Sequence, residues 1–163
     1  MNAHNPADPH VSPDPAPFAF AEFQQLVPEA TPALRALSRA ANAGLDHGTV
    51  ELVKVRVSQI NGCAFCTALH LEAARKLGVA PAKLDLVAVW REAGLFDARE
   101  KAILAFAEAL TAMGRAPLPE DALAGIAAHL SRAEIAHLAA AIATINAWNR
   151  IAGGLRFPVT TAP

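Results

Sequence analysis

Residues 51–70, ELVKVRVSQINGCAFCTALH, decide the fold of this chain. The stretch holds both cysteines of the protein, Cys63 and Cys66, and His70 follows four residues after the second. On a helix, side chains three and four positions apart share one face, so the two thiols and the imidazole would form one stripe. Asn61-Gly62 is a turn and helix-stop signal, which predicts that Cys63 lies at or near a helix start.

This arrangement predicts an activated thiol. Free N–H groups and the macrodipole at a helix N-terminus favour the thiolate and lower a thiol's pKa. His70, one turn beyond Cys66, is placed to take a proton from it. Two cysteines at this spacing also close a disulfide when the first lies in the opening turn of the helix. The pattern is typical of a reactive thiol with a resolving thiol beside it.

The segment that leads into the cysteines, residues 49–60, is ambiguous by pattern. Residues 53–58, VKVRVS, alternate as a strand does, and their β-branched content favours a strand. Val50, Val53, Val57 and Ile60 also fit one helical stripe. Nothing else in the chain offers a strand a partner, and a lone strand leaves its backbone unsatisfied. We therefore expect a helix here, with Thr49 as its N-cap.

Outward from this stretch, periodicity and caps predict an all-α, single-domain fold of about seven helices. The chain is rich in alanine and lacks tyrosine, which favours closely packed helices. Before the central stretch we expect a helix around Phe18, Phe20 and Phe23 closed by Pro28, and a helix from Pro32 to Asn42 with Leu34 and Leu37 turned inward. The cysteine helix should run to Leu77, and the next from Pro81 to near Gly94. Three more should follow, one from the capping box Asp97–Glu100 to Gly114, one from Pro119 to about Leu130, and a long one from the capping box Ser131–Glu134 to Gly153.

Composition limits the partners and the location. The chain has 163 residues, 14 basic and 15 acidic, so it lacks the basic field that holds nucleic acid or an anionic membrane. No apolar run is long enough to span a bilayer, and the N-terminus does not read as a secretory signal. We expect a cytoplasmic protein, in which a lone CxxC is catalytic or metal-binding more often than structural. We expect a disordered proline-rich tail over residues 1–17, one helical domain over 18–157 and a C-terminal tail over 158–163.

The spacing Glu-x11-Cys-x2-Cys-x3-His, met by Glu51, Cys63, Cys66 and His70, resembles the core motif of the AhpD-like family within the carboxymuconolactone decarboxylase superfamily. The stretch 56–63, residues 100–101 with 106–110, and the block 145–150, INAWNR, look like the same family. The resemblance covers roughly residues 18–157. It implies an AhpD-like helical fold that associates into trimers or hexamers.

The resemblance also implies a thiol-dependent peroxidase without a metal or cofactor. In such enzymes the second cysteine attacks the hydroperoxide and becomes a sulfenic acid, and the first closes the disulfide. Carried over, Cys66 is peroxidatic, Cys63 is resolving, and His70 and Glu51 form a proton relay. The substrate is then hydrogen peroxide or an alkyl hydroperoxide, and the disulfide needs an external dithiol, such as a lipoylated or thioredoxin-like protein.

One residue departs from the pattern, because Phe65 stands where well-studied peroxidase members carry a histidine. Phe65 motivates a first alternative, a dithiol redox or sensor protein without peroxide turnover. A carboxymuconolactone decarboxylase-like enzyme that uses Glu51 and His70 as acid and base is the second alternative. A zinc site is weaker, since only two thiols and one imidazole lie close together.

Other residues have both structural and functional interpretations. If Glu51 is buried beside the thiols, desolvation should raise its pKa and suit it to shuttle protons. We expect His129 and His137 at the surface or an interface. Structural packing is the expected role of three residues in the last helix, Asn146, Trp148 and Asn149. Trp90 and Phe65 fit either an apolar pocket for a hydroperoxide or the core.

Overall fold

The structure is a computed structural model that describes residues 16–159. Within that range the chain forms eight α-helices, one short 3₁₀ helix and no strand. This confirms the all-α prediction. The elements in chain order are α1 (Phe20–Leu26), α2 (Ala30–Asn42), α3 (His47–Ile60), α4 (Ala64–Lys76), α5 (Pro81–Leu86), the 3₁₀ helix Val87–Val89, α6 (Ala98–Ala112), α7 (Ala122–Ala127) and α8 (Arg132–Gly154).

Helix α3 is the centre of the fold and packs against α4, α6 and α8. Val53, Val55 and Val57 are almost fully buried. Val53 and Val57 lie on one face of the helix and Val55 on another, so buried valines alternate with other residues along the sequence as they would in a strand. The prediction of a helix here is confirmed, and the buried position of α3 holds Glu51 and the start of the cysteine motif inside the protein.

Both predicted capping boxes are present. Asp97 Oδ1 accepts the backbone N–H of Glu100 at 2.8 Å, and Glu100 Oε2 accepts the N–H of Asp97 at 3.0 Å. Ser131 and Glu134 satisfy each other's N–H groups in the same way at the start of α8. These pairs close the free donors of the first turn and fix where α6 and α8 begin.

Several local predictions are wrong. The N-cap of α3 is Asp46, whose carboxylate accepts the N–H of Thr49 at 2.8 Å, so Thr49 is already inside the helix. Leu37 is 49% exposed because it lies on the face of α2 that is turned to solvent. The helix expected to run from Pro81 to Gly94 ends as α5 at Leu86 and tightens into the 3₁₀ helix, a common way to end an α-helix. The break therefore adds the 3₁₀ helix and leaves one α-helix in this segment, and the helix expected from Pro119 begins at Ala122.

The two ends of the described chain lie together. The N–H of Phe18 donates to the carbonyl of Leu155 at 3.0 Å, and the rings of Phe20 and Phe23 pack on Phe157 at 5.6 and 5.8 Å between centroids. The predicted tails over 1–17 and 158–163 fall largely outside the described residues, so the domain boundaries stay predictions. Between residues 16 and 159, no helix is long and apolar enough to cross a membrane.

Candidate functional site

The two cysteines lie at the junction of α3 and α4. Gly62 has a φ of 66°, a left-handed conformation that glycine adopts without strain, and it turns the chain between the helices. Cys63 is the N-cap of α4, and its Sγ accepts a hydrogen bond from the backbone N–H of Cys66 at 3.4 Å. Both residues are free thiols, 2% and 3% exposed. The predicted place of Cys63 at a helix start is confirmed.

The two thiols share a proton unequally. The Cys66 thiol donates a hydrogen bond to the Cys63 sulfur, and with the backbone N–H groups of the first turn this lowers the pKa of Cys63 to about 6, although burial opposes the shift. The same hydrogen bond, with burial, raises the pKa of Cys66. These opposite shifts favour the negative charge on Cys63 and the proton on Cys66 in the reduced protein.

Asn149, in α8, is a site residue that the sequence reasoning missed. Its side chain hydrogen-bonds both sulfurs and lowers the pKa of each thiol. Its Nδ2 also donates to Ser58 Oγ at 3.0 Å, and its Oδ1 accepts from Asn61 Nδ2 at 2.9 Å. We expected only packing from Asn149. The block 145–150 marked the region, but nothing in its spacing placed Asn149 against a motif more than eighty residues earlier.

Glu51 and His70 are in direct contact. Oε2 of Glu51 lies 2.6 Å from Nδ1 of His70, and Oε1 lies 2.6 Å from the ammonium of Lys54. Lys54 is itself only 6% exposed. One carboxylate thus binds an imidazole and a buried cation at once. Lys54 was not among the residues predicted for the site. In the alternating segment 53–58 it occupies a position typical of the polar face of a strand.

The expectation of a net rise in the pKa of Glu51 is wrong. Burial is the largest single effect and does raise it, but the hydrogen bonds and charges of His70 and Lys54 together outweigh it. The net pKa lies below the ordinary value of 4.5. Glu51 therefore stays ionised near neutral pH, and it orients His70 rather than carrying a proton itself.

A cavity of about 500 Å³ opens in front of Cys66. His70 lines it together with Cys66, whereas Cys63 does not. Phe65 lines the cavity and packs on Phe20 at 5.9 Å between ring centroids, so the residue that replaces the family's histidine makes this wall apolar. The cavity has the size of sites that bind small organic molecules, about 300–1,000 Å³.

A second, more open depression of about 460 Å³ lies on the other side of the dithiol. Cys63 lines this depression, and Cys66 does not. Small side chains form much of the surface, including Ala64 and Ala68 on α4. Cys66 and Cys63 thus line different openings, of which the one at Cys63 is the more open.

The remaining candidates lie elsewhere. His129 is exposed, and Nδ1 of His137 lies 3.0 Å from the carbonyl of Ala41, where it joins α8 to α2. Trp90 is a core residue that donates to Glu108 at 2.9 Å. Trp148, by contrast, lines the cavity with Cys66. Across residues 16–159, no group of three or more His, Cys, Asp or Glu side chains is arranged to hold a metal ion.

Comparisons with known proteins show the family to which the chain belongs. The sequence profile of the carboxymuconolactone decarboxylase family matches residues 22–109. The uncharacterized protein YdfG of Bacillus subtilis (strain 168) is 30% identical over 130 residues, which cover 79% of this chain and 88% of that protein. A solved protein of unknown function from Agrobacterium tumefaciens, suggested to be the antioxidant defence protein AhpD, is 37% identical with a TM-score of 0.82, over 86% of this chain and 97% of that one.

A more distant structure shows the same fold. It is an uncharacterized peroxidase-related protein from Ralstonia eutropha JMP134 with an alkylhydroperoxidase AhpD core, 24% identical with a TM-score of 0.75 over 85% of this chain and 74% of that one. At that identity the likeness concerns the fold alone. The profile match, the Bacillus subtilis relative and the Agrobacterium structure lead to the same conclusion. The chain belongs to the carboxymuconolactone decarboxylase family and is an AhpD-like member of it.

Proposed function

We propose that this protein is a thiol-dependent peroxidase that reduces hydrogen peroxide or organic hydroperoxides through Cys63 and Cys66. One observation carries the proposal. Cys66 and His70 line one cavity, while Cys63 hydrogen-bonds Cys66 from outside it. A hydroperoxide in the cavity would meet a thiol and a base on one side, with a second thiol in position to close a disulfide.

The proposed reaction begins with a proton shift. Cys66 passes its proton to the Cys63 thiolate, and the Cys66 thiolate attacks the terminal oxygen of the hydroperoxide. The O–O bond breaks, Cys66 becomes a sulfenic acid, and the alkoxide takes the proton back from Cys63 and leaves as the alcohol. The Cys63 thiolate then attacks the Cys66 sulfur. The S–S bond forms, and the departing hydroxide is protonated through His70, which regains its proton from solvent.

The resulting disulfide needs two electrons from outside the chain. We propose an external dithiol on a partner, a lipoylated or thioredoxin-like protein. The shallow depression beside Cys63 supports access of a partner's thiol from the side opposite the peroxide cavity. Because a lone CxxC pair is more often catalytic than structural in a reducing compartment, we propose that this cycle runs in the cytoplasm.

A steady-state assay tests the proposed peroxidase. The protein is given dihydrolipoamide or dithiothreitol as reductant, and the consumption of cumene hydroperoxide is followed. Wild type should turn over. Cys66→Ser should lose activity by at least 10²-fold, because the remaining thiol does not reach the cavity. Activity of Cys66→Ser close to wild type would contradict the assignment of that cysteine as the nucleophile.

A second function has its own support, a dithiol redox protein with negligible peroxide turnover. The ground-state thiolate is on Cys63, at the helix N-cap and on the open side of the site, which favours thiol–disulfide exchange with a partner. Phe65 also stands where well-studied peroxidase members carry a histidine, so the cavity side of the site lacks that proton carrier. The discriminating measurement compares the oxidation rate of the reduced protein by a disulfide-bearing protein with its rate by peroxide at equal concentration.

We also propose that the protein is a homo-oligomer, a trimer or a hexamer. Large apolar side chains are exposed on several elements of the monomer, which is typical of surfaces that another protein covers. They include Leu26, Leu77, Val89, Met113 and Leu123, each more than half exposed. Light scattering after size-exclusion chromatography tests this proposal, and a monomer at micromolar concentration would contradict it.

A further inference from the structure

The cavity in front of Cys66 has two chemically different walls. Aromatic and aliphatic side chains from α1, α4 and α8 form one wall, and polar side chains of α2 form the other. The apolar residues are Phe20, Phe65, Leu69, Ile145 and Trp148, and the residues from α2 are Arg35, Ser38, Arg39 and Asn42. A molecule that fills this space would meet apolar surface and basic groups together.

The two arginines of α2 stand out by their charge. Arg35 and Arg39 are four positions apart on one helix, so their side chains share a face. Neither makes an ion pair with any residue between 16 and 159, and both are exposed. Like charges at this spacing destabilise a helix. The last turn of α2 favours a cation at Arg39, but it does not explain Arg35 beside it, and an anionic ligand would account for both.

The other charges at the cavity cancel. Lys54 also lines it, but Glu51 neutralises its ammonium at 2.6 Å. Glu51 is not among the lining residues, and the described part of the cavity wall contains no Asp or Glu. The cavity therefore presents two uncompensated positive charges beside an apolar wall.

From these observations we propose that the cavity binds organic hydroperoxides that carry a carboxylate, with the hydrocarbon body on the aromatic wall and the carboxylate on Arg35 and Arg39. The proposal rests on the proposed peroxidase function, because it names the substrate class for that reaction. Guanidinium groups suit carboxylates, since their planar donors make paired, charge-assisted hydrogen bonds. A neutral hydroperoxide of equal size would fill the apolar part alone.

Binding of unreactive analogues tests the substrate class without any turnover. Decanoate and decanol share a chain length and differ in charge, and calorimetric titration of the reduced protein gives both affinities. Decanoate should bind about tenfold tighter, the worth of one good charge-assisted hydrogen bond. Because Arg35 and Arg39 are exposed, the preference should shrink as salt rises. Equal affinities, or no measurable binding of either compound, would overturn the inference.

Matched variants locate the effect. Arg35→Gln and Arg39→Gln should each reduce the preference for decanoate several-fold, and the double variant should abolish it. Arg132→Gln is the control, since Arg132 is an exposed arginine at the first position of α8, about 24 Å along that helix from Trp148. A preference that survives in the double variant, or that falls as much in the control, would overturn the inference.

Kinetics separate this inference from the function on which it rests. A fatty-acid hydroperoxide and its methyl ester are compared as substrates, and the acid should have the lower KM, by about tenfold, with a similar kcat. Turnover of both at equal KM would overturn the carboxylate preference and leave the peroxidase standing. Tight binding of decanoate with no turnover of any hydroperoxide would support the anion site and overturn the peroxidase.

Discussion

The imidazole of His70 and the carboxylate of Glu51 meet across two helices, with Nδ1 2.6 Å from Oε2. Since the lowered pKa of Glu51 keeps it ionised, its oxygen can only accept, and Nδ1 of His70 must carry the hydrogen. The other ring nitrogen, Nε2, is then free to exchange protons at the cavity. Glu51 thus fixes the tautomer and the direction of the histidine, as the partner of a general base does.

Glu51→Gln should weaken both the site and the fold. The amide still hydrogen-bonds, but it no longer balances the buried ammonium of Lys54, so we expect a loss of about 2 kcal/mol in the free energy of unfolding. Peroxide turnover should fall by roughly 10²-fold, the usual worth of a general base. Urea unfolding and the peroxidase assay measure the two effects. Glu72→Gln is the control, since Glu72 pairs with Lys76 on the exposed surface of α4.

The stability difference between wild type and Glu51→Gln should depend on pH, in the direction set by the pKa shift of Glu51. The folded-state pKa of Glu51 lies below its ordinary value of 4.5, so its stabilising contribution is complete above that pH and is lost as the pH falls through the folded-state value. Wild type and Glu51→Gln should therefore approach each other in acid. A stability gap that stays constant below pH 4 would contradict the lowered pKa.

The reduced dithiol should ionise near pH 6, and the first thiolate should be that of Cys63. The pKa of Cys63 is lowered to about 6, so thiolate absorbance at 240 nm should rise through that pH rather than near the ordinary value of 9.0. Cys66→Ser should keep an early rise, because a serine hydroxyl still donates to the Cys63 sulfur. In Cys63→Ser the rise should move to a higher pH, because burial raises the pKa of Cys66. The opposite behaviour of the two variants would contradict the shared-proton description.

Asn149→Leu should raise the pKa of the Cys63 thiol. Leucine has a similar volume but removes the donor to the sulfur, and roughly one pH unit corresponds to the loss of one hydrogen bond to a charged group. The 240 nm titration measures the shift. Asn146→Leu is the control. Asn146 belongs to the same network through Asn61, but it is not among the groups that shift the pKa of Cys63 or Cys66. An equal shift in the control would contradict a direct role for Asn149.

Local patterns in the sequence were sufficient to predict most of the fold. Caps at Asp97 and Ser131 and the stop at Gly62 act within one turn of the chain, so local patterns predicted them. The break after Leu86 was not predictable locally, because residues 86–90 contain no glycine or proline to mark it. Asp46 was missed as a cap because His47 and Gly48, which follow it, are weak helix formers.

Within the site, the spacing of one helix predicted Cys63, Cys66 and His70 together. The roles of Lys54 and Asn149 come from contacts across the fold, and no spacing in the sequence announces them. The pKa of Glu51 shows the same limit. The burial of Glu51 was foreseeable, but the direction of its pKa shift also depends on the ammonium of Lys54, which only the structure places 2.6 Å from the carboxylate.

Phe65→His would insert the histidine that the resemblance to AhpD-like peroxidases leads one to expect. Phe65 packs on Phe20 and Phe157, with ring centroids 5.9 and 5.5 Å apart, so its replacement should cost about 1 kcal/mol of stability. A polar wall should also favour hydrogen peroxide over cumene hydroperoxide, and the ratio of their kcat/KM values should rise. Phe65→Leu, which keeps the wall apolar, should leave that ratio unchanged, and a rise in that variant would contradict the account.

The central claim is that Cys66 is the thiol that attacks peroxide, even though Cys63 holds the negative charge at rest. The most direct test is the intact mass of reduced protein after one equivalent of cumene hydroperoxide. Wild type should lose two hydrogen atoms within seconds, Cys63→Ser should gain one oxygen atom on Cys66, and Cys66→Ser should stay unchanged. An oxygen atom gained by Cys66→Ser and retained on Cys63 would contradict the claim, and so would a wild type that stays reduced for many minutes.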